Sequence, residues 1–337
     1  MNSAFPKAAA AILEVVDLSL DYKLANISLP ALRDISFQIH AGEAVALVGE
    51  SGSGKTTTAM TVAGLLSPNA KVTSGEVRYR GKRLPISDEE AMRPHRWNDL
   101  SVVFQGAMNA LNPVQRVIKQ IAEPCSLKLG MTRDEAMRRA RELLELVGIS
   151  AERGAAYPHE LSGGMRQRVM IAMALACHPS IVIGDEPTTA LDVITQAQIL
   201  KLVTRLRKEL NLALILITHD LSVVAESCDR VMIMYAGRII EDGDVAEIFE
   251  NPRHPYTRLL IESIPDPTEG KRVLKPIPGD PPSLRNRPSG CAFRTRCPSA
   301  MDICAVEVPF LEIEQSGRVA CHLYSAGSQE PKVKSNV

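Results

Sequence analysis

Apolar and polar positions change rhythm several times along this chain, and each rhythm predicts a different element. ILEVVDLSL at 12–20, DISFQI at 34–39 and AVALVG at 44–49 read as successive strands, with Gly42 marking the turn between the last two. A helix is predicted to follow over Lys55–Leu66. From Thr132 to Gly148 the period becomes fully helical. Ala136, Ala140, Leu143, Leu144 and Val147 share one face, Thr132 and Glu135 form a capping box, and Gly148 stops the helix. Two continuous apolar runs, SIVIGDE at 180–186 and LALILITHD at 212–220, predict buried parallel strands with a helix over Val193–Leu210 between them. RVMIMYAGRIIEDG at 230–243 predicts a β-hairpin turning at Ala236–Gly237.

After about Pro265 the rhythm stops. Residues 264–290 are rich in proline, glycine and charge, which is linker or loop chemistry. Residues 325–337 are polar and predict a disordered tail. No internal repeat marks a solenoid.

Composition changes this picture little. The 337 residues are 45% apolar, enough for a large α/β domain with an appendage, or for two domains. Lysine plus arginine and aspartate plus glutamate both number 39, a balance that argues against nucleic acid as the main partner. The N-terminal stretch has one lysine and no long apolar run before Glu14 and Asp17, so it does not read as a signal peptide. LALILIT is far too short to cross a bilayer. A cytosolic protein with reduced thiols is expected.

The strongest chemical signal is VGESGSGKTT at 48–57. Gly49, four residues, then Gly54-Lys55-Thr56 is the P-loop pattern, placed after a buried strand and before a helix. Its glycines let successive N–H groups of Gly49, Glu50, Ser51, Gly52, Ser53, Gly54 and Lys55 point inward as an anion nest, continued by Thr56 and Thr57. Lys55 is placed to reach the β- and γ-phosphates of ATP, and Thr56 to ligate Mg²⁺. Asp185 ends an apolar strand, where a carboxylate can hold Mg²⁺ through water. Glu186 follows it and can act as general base toward an attacking water.

LSGGMRQR at 161–168 followed by IVIGDEPTTALD at 181–192 resembles the ATP-binding-cassette family, over nearly the whole chain. The resemblance implies a mixed β core with a helical signature subdomain at about 106–178, within an ATPase domain spanning 1–265. It also implies roles for particular residues. His219 would contact the γ-phosphate, Gln105 would sense Mg²⁺ and the water, and Tyr22 would stack on adenine. Ser162, Gly163 and Gly164 would complete the ATP site of a second cassette, with Asp192 in the turn beyond Ala190-Leu191. A partner ATPase chain follows from that arrangement.

TTALDVITQAQIL, NPRHPYTRLLIESIP and a cysteine-bearing tail narrow the likeness to ATP-binding subunits of bacterial dipeptide and oligopeptide importers. That branch implies a peripheral protein on the cytoplasmic face of the inner membrane, working as a heterodimer of ATPases under two permease subunits. An extracytoplasmic substrate-binding protein would feed them. Related importers carry nickel or glycosides, and soluble cassette ATPases form a further alternative, as does an iron–sulfur redox enzyme with an incidental nucleotide site. Two departures from the wider family pattern stand out: Met165 ends the signature loop, and Gly106-Ala107 follow Gln105 where an acidic residue and proline are usual.

Four of the seven cysteines lie near the end of the chain, at Cys291, Cys297, Cys304 and Cys321. Paired C-x-x-C knuckles are absent, and four spread thiolates can hold an iron–sulfur cube, a zinc ion or nothing. The resemblance implies a [4Fe–4S] cluster in a metal-binding extension over 266–324, with Zn²⁺ the alternative and His322 a substitute ligand. Cys125, Cys177 and Cys228 read as ordinary buried thiols.

Overall fold

The computed structural model describes residues 10–106, 110–189, 191–263, 276–314 and 317–324. The expectations for Ala107, Ala190, the start of the linker and the 325–337 tail lie outside these residues.

Two sheets carry the fold. One is antiparallel and runs in the order β2-β1-β4-β5, from β1 (Leu13–Leu24), β2 (Ile27–Ile39), β4 (Ala70–Tyr79) and β5 (Lys82–Arg83). The other is built on β3 (Ala44–Val48), β6 (Leu100–Val103), β7 (Ile181–Asp185), β8 (Ala213–Ile217), β9 (Arg230–Tyr235), β10 (Arg238–Asp244), β11 (Glu312–Glu314) and β12 (Gly317–Val319). Its order is β11-β12-β10-β9-β3-β8-β7-β6, with parallel pairing from β9 through β6. β3 and β8 are buried at all five positions because neighbours flank both edges and other layers cover both faces. That is why AVALV and ALILI lack alternation.

The two sheets face each other across one core. Leu13, Leu20, Leu32 and Ile39 from the antiparallel sheet meet Leu47, Ile215 and Ile217, together with Val62 of α1 (Lys55–Val62). The predicted hairpin is β9–β10, turning through Ala236 and Gly237 at positive φ of 46° and 75°, the backbone of a tight two-residue turn. A Cβ on Gly237 would stand 2.0 Å from the Ala31 carbonyl, so only glycine fits there.

A short helix, α2 (Glu89–Met92), precedes β6. A second core then gathers α3 (Val117–Leu129), α4 (Arg133–Leu146), α5 (Gly163–Ala174) and one face of α6 (Val193–Leu210). α4 confirms its sequence pattern closely. The capping box of Thr132 and Glu135 is formed, Ala136, Ala140, Leu143 and Leu144 are buried, and Gly148 takes φ 76° just beyond the helix. α7 (Leu221–Ser227), α8 (Val245–Glu250) and α9 (Pro255–Glu262) follow.

The extension, with α10 (Ile303–Val306), lies against the parallel sheet. β12 pairs antiparallel with β10 at Glu241↔Val319 and Asp242↔Arg318. Phe293 from the extension, Tyr235 of β9 and Tyr256 of α9 form a buried aromatic group, with ring centroids 4.8–5.3 Å apart. Burying one such ring stabilises by roughly 1.5–3 kcal/mol, so this group helps anchor the extension, with Ile277, Ala292 and Cys297 packed around it. Among the described residues no helix is long and apolar enough to cross a membrane.

Candidate functional site

β3 delivers the chain into the P-loop at Val48. A Cβ on Gly49 would lie 2.2 Å from the Met234 carbonyl, which fixes glycine there by close approach of two backbones. Gly54 caps α1 at φ 107°, so the first turn's N–H groups face outward unobstructed. Lys55 is buried, and its Nζ donates to the Gly49 and Glu50 carbonyls at 2.8 and 2.9 Å. Burial holds its pKa below the usual lysine value, opposed by Glu186, Asp185 and Glu50.

The acidic side comes from the end of β7. Thr56 Oγ1 donates to Asp185 Oδ1 at 3.2 Å. Burial pushes the Asp185 carboxyl up; the Thr56 hydrogen bond opposes this and Glu186 adds to it. Hydroxyl and carboxylate oxygens side by side are the hard donors Mg²⁺ takes, so the residues present fit the ion.

Glu186 sits at φ 45°, a left-handed conformation that costs a non-glycine residue about 1 kcal/mol or more. Its N–H donates to the Ile217 carbonyl at 2.9 Å, which helps hold the backbone there. Three side chains converge on its carboxylate. Gln105 Nε2 donates to Oε2 at 2.7 Å, Thr189 Oγ1 donates to Oε2 at 3.0 Å, and His219 Nδ1 lies 3.1 Å from Oε1. Glu186, Gln105 and His219 were expected from sequence; Thr189 was not.

A cavity of about 480 Å³ is lined by Tyr22, the P-loop, Gln105, Glu186 and His219, with Leu260 of α9 and Leu284 of the extension. Tyr22 Oη lies 3.1 Å from Thr57 Oγ1, which ties the expected adenine wall to the loop. Ser162, Gly163, Gly164 and Asp192 are not among the described lining residues. Ser162 caps α5 by accepting from the Met165 N–H at 3.3 Å, and Asp192 caps α6 by accepting from the Thr195 N–H at 2.9 Å.

Sequence reading missed the loop's supports. The Glu50 N–H donates to Tyr256 Oη at 2.9 Å. The Glu50 carboxylate accepts from Arg296 Nη1 and Nη2 at 2.6 and 2.9 Å. NPRHPY was legible as a resemblance without a role, and the structure supplies one. His254 Nδ1 accepts from the Tyr256 N–H at 3.0 Å and Pro255 opens α9, which aims Tyr256 at the loop.

The cysteines match expectation at Cys125 and Cys177 and depart from it elsewhere. All seven are free thiols; Cys125, Cys177 and Cys304 are buried, and the others, including Cys228, are half-buried. Among the described residues no group of three or more His, Cys, Asp or Glu side chains is arranged to hold a metal ion. The ligand shell expected of Cys291, Cys297, Cys304 and Cys321 is therefore not formed. Burial, reinforced by the neighbouring Cys291, Cys297 and Cys304 thiols, pushes the Cys321 thiol up to about 12. His322 is engaged at 3.0 Å with the Glu307 carbonyl.

Residues 32–189 match the family described as "ABC transporter", and residues 240–304 match "Oligopeptide/dipeptide transporter, C-terminal region". The chain is 48% identical over 312 residues to a putative peptide import ATP-binding protein of Brucella melitensis, covering 88% of this chain and 92% of that one. It is 44% identical over 320 residues to the oligopeptide transport ATP-binding protein OppD of Salmonella typhimurium, covering 94% and 95%. Among solved structures it resembles a dimeric ATP-binding cassette in a post-hydrolysis state with ADP and Pi. There the TM-score is 0.62 and the identity 29%, over 69% of this chain and 98% of that one. It also resembles cbiO1 from Clostridium perfringens, part of an ABC transporter complex, at TM-score 0.63 and 30% identity over 72% and 91%.

Proposed function

The chain belongs to the ABC transporter family, and from that premise we propose that it is the ATP-binding and ATP-hydrolysing subunit of an importer of dipeptides or oligopeptides. The single observation that carries the catalytic part is the Glu186 carboxylate, held by Gln105, Thr189 and His219 at the rim of the P-loop cavity. The peptide reading is supported by the match of residues 240–304 and by relatives named for peptide transport.

In this reading the loop's N–H groups and Lys55 bind the β- and γ-phosphates, and Thr56 with Asp185 would hold Mg²⁺, which would supply charge neutralisation there. Glu186 accepts a proton from water as its oxygen attacks the γ-phosphorus. The bond to the bridging oxygen breaks, and ADP departs with that electron pair. Gln105 and His219 orient the water. Ser162, Gly163 and Gly164, lying away from their own chain's cavity, serve the site of a second ATPase chain, as Asp192 does at the adjoining turn. A heterodimer is favoured. Two permease subunits and an extracytoplasmic binding protein complete the assembly, with this chain peripheral on the cytoplasmic face. Nickel or glycosides remain the alternative cargo.

The cofactor set is ATP with Mg²⁺. A [4Fe–4S] cluster or Zn²⁺ on the four thiols of the extension has the donor chemistry alone behind it. Metal and acid-labile sulfide analysis of anaerobically purified protein decides it: four irons and four sulfides per chain establish the cube, one zinc the alternative, and neither removes the cofactor.

The whole reading is tested by purifying the chain from washed membranes. We expect two integral membrane subunits to accompany it, and vesicles holding the complex and its binding protein to accumulate peptide only with internal ATP. A freely soluble, ribosome-bound chain would reverse the assignment.

A further inference from the structure

We infer that the C-terminal extension is a working wall of the nucleotide site, with Arg296 the positioning residue that fixes the phosphate-binding loop through Glu50. This deepens the ATPase reading above and rests on it. Glu50 is held twice over. Its N–H is pinned by the Tyr256 hydroxyl, and its carboxylate is gripped bidentately by Arg296 from 246 positions away. The fork geometry of guanidinium on carboxylate fixes direction as well as distance, which a single hydrogen bond does not.

Arg296 can act as a fixed point because it is itself immobilised. Its side chain is 3% exposed. Nε donates to the Pro278 carbonyl at 2.7 Å, and Nη1 reaches Tyr235 Oη at 3.3 Å. The guanidinium lies 5.8 and 5.9 Å from the Tyr235 and Phe293 ring centroids. The far end of this linkage is Lys55, whose ammonium rests on the Glu50 carbonyl at 2.9 Å. Moving Glu50 therefore moves a carbonyl that sets where the phosphate-binding lysine lies.

A second contact reaches another part of the cavity wall. Leu284 lines it directly. Arg287 Nη2 donates at 3.1 Å to the carbonyl of Ala31, another lining residue. The extension thus touches the nucleotide cavity both at the phosphate loop and near Tyr22.

The test measures MgATP binding by calorimetry and amide exchange by mass spectrometry in the full chain, comparing wild type with Arg296→Met, Arg296→Lys, Glu50→Gln and the Glu50→Gln/Arg296→Met double variant. Arg296→Met should weaken MgATP binding about tenfold or more, and Arg296→Lys, which keeps the charge but loses the fork, should recover part of that. The double variant should be no worse than the poorer single one, because both members of one pair are then gone. Amides at 49–55 should exchange faster while those at 291–304 keep their protection. Wild-type affinity in Arg296→Met, additive losses in the double variant, or joint loss of protection in both segments would each overturn the inference. A wild-type chain that fails to bind MgATP sinks the ATPase reading instead, and the exchange comparison then still reports whether Arg296 orders the loop.

Discussion

The phosphate-binding loop at 49–57 and the extension at 276–324 share one deficiency: neither has a periodic apolar face of its own. They solve it in opposite ways. The loop is held by backbone geometry, with Gly49 and Gly54 permitting the curl and Lys55 folded onto two carbonyls. The extension is held by distant partners: Phe293 against Tyr235 and Tyr256, Arg296 on Glu50, and β12 on β10. A local device can be read in a short run of residues. A device made of long-range pairs leaves no local pattern, so the conspicuous cysteines drew attention that Phe293 and Arg296 merited.

This contrast can be attacked from either side, and the largest expected effect is at the catalytic end. Glu186→Gln should lower steady-state phosphate release about 10²–10⁴-fold while leaving MgATP binding intact. Loss of binding as well would make Glu186 a structural residue. Next in size is Phe293→Ala, expected to cost about 3–5 kcal/mol in denaturant unfolding, because the ring is fully buried among aromatics. A cost near zero would mean that the extension is not anchored there. Gly49→Ala should cost about 1–3 kcal/mol, since its Cβ would collide with the Met234 carbonyl, and MgATP binding should fail with it. Unchanged binding would refute the geometric account of the loop.

The remaining effect is pH-dependent. Burial, with Arg258 adding to it, holds His254 down to about 3, far below its unfolded value near 6.5. The unfolded chain then binds a proton that the folded chain refuses. His254 therefore contributes stability that is fully present above pH 6.5 and is lost as pH falls toward 3. Glu241, raised by burial, works in the opposite sense. His254→Asn keeps a cap acceptor for the Tyr256 N–H and should flatten the fall of the unfolding midpoint between pH 6.5 and 4. An unchanged slope would assign the pH dependence to other groups.

Most of the architecture was legible because it follows from periodicity. Thr132–Gly148, Val193–Leu210, the two apolar strands and the Ala236–Gly237 turn all fall where the pattern puts them. The site was legible wherever residues cluster in sequence or in a family pattern: Lys55, Thr56, Asp185 and Glu186 by proximity, Gln105 and His219 by resemblance. Thr189 was overlooked although it lies three residues from Glu186, because a threonine has no chemistry of its own to announce it. Tyr256, Leu284 and Arg296 were overlooked for a different reason. Their roles exist only once strands distant in sequence have been laid side by side, and tertiary contact of that kind has no period.

The pairing of β12 on β10 has a consequence for how the molecule is made. Until Gly317–Val319 emerge from the ribosome, β10 lacks its strand partner at Glu241 and Asp242 and remains an open sheet margin. The ATPase domain of a nascent chain must therefore wait, open to misassociation, for a seam closed by residues translated long after Glu186.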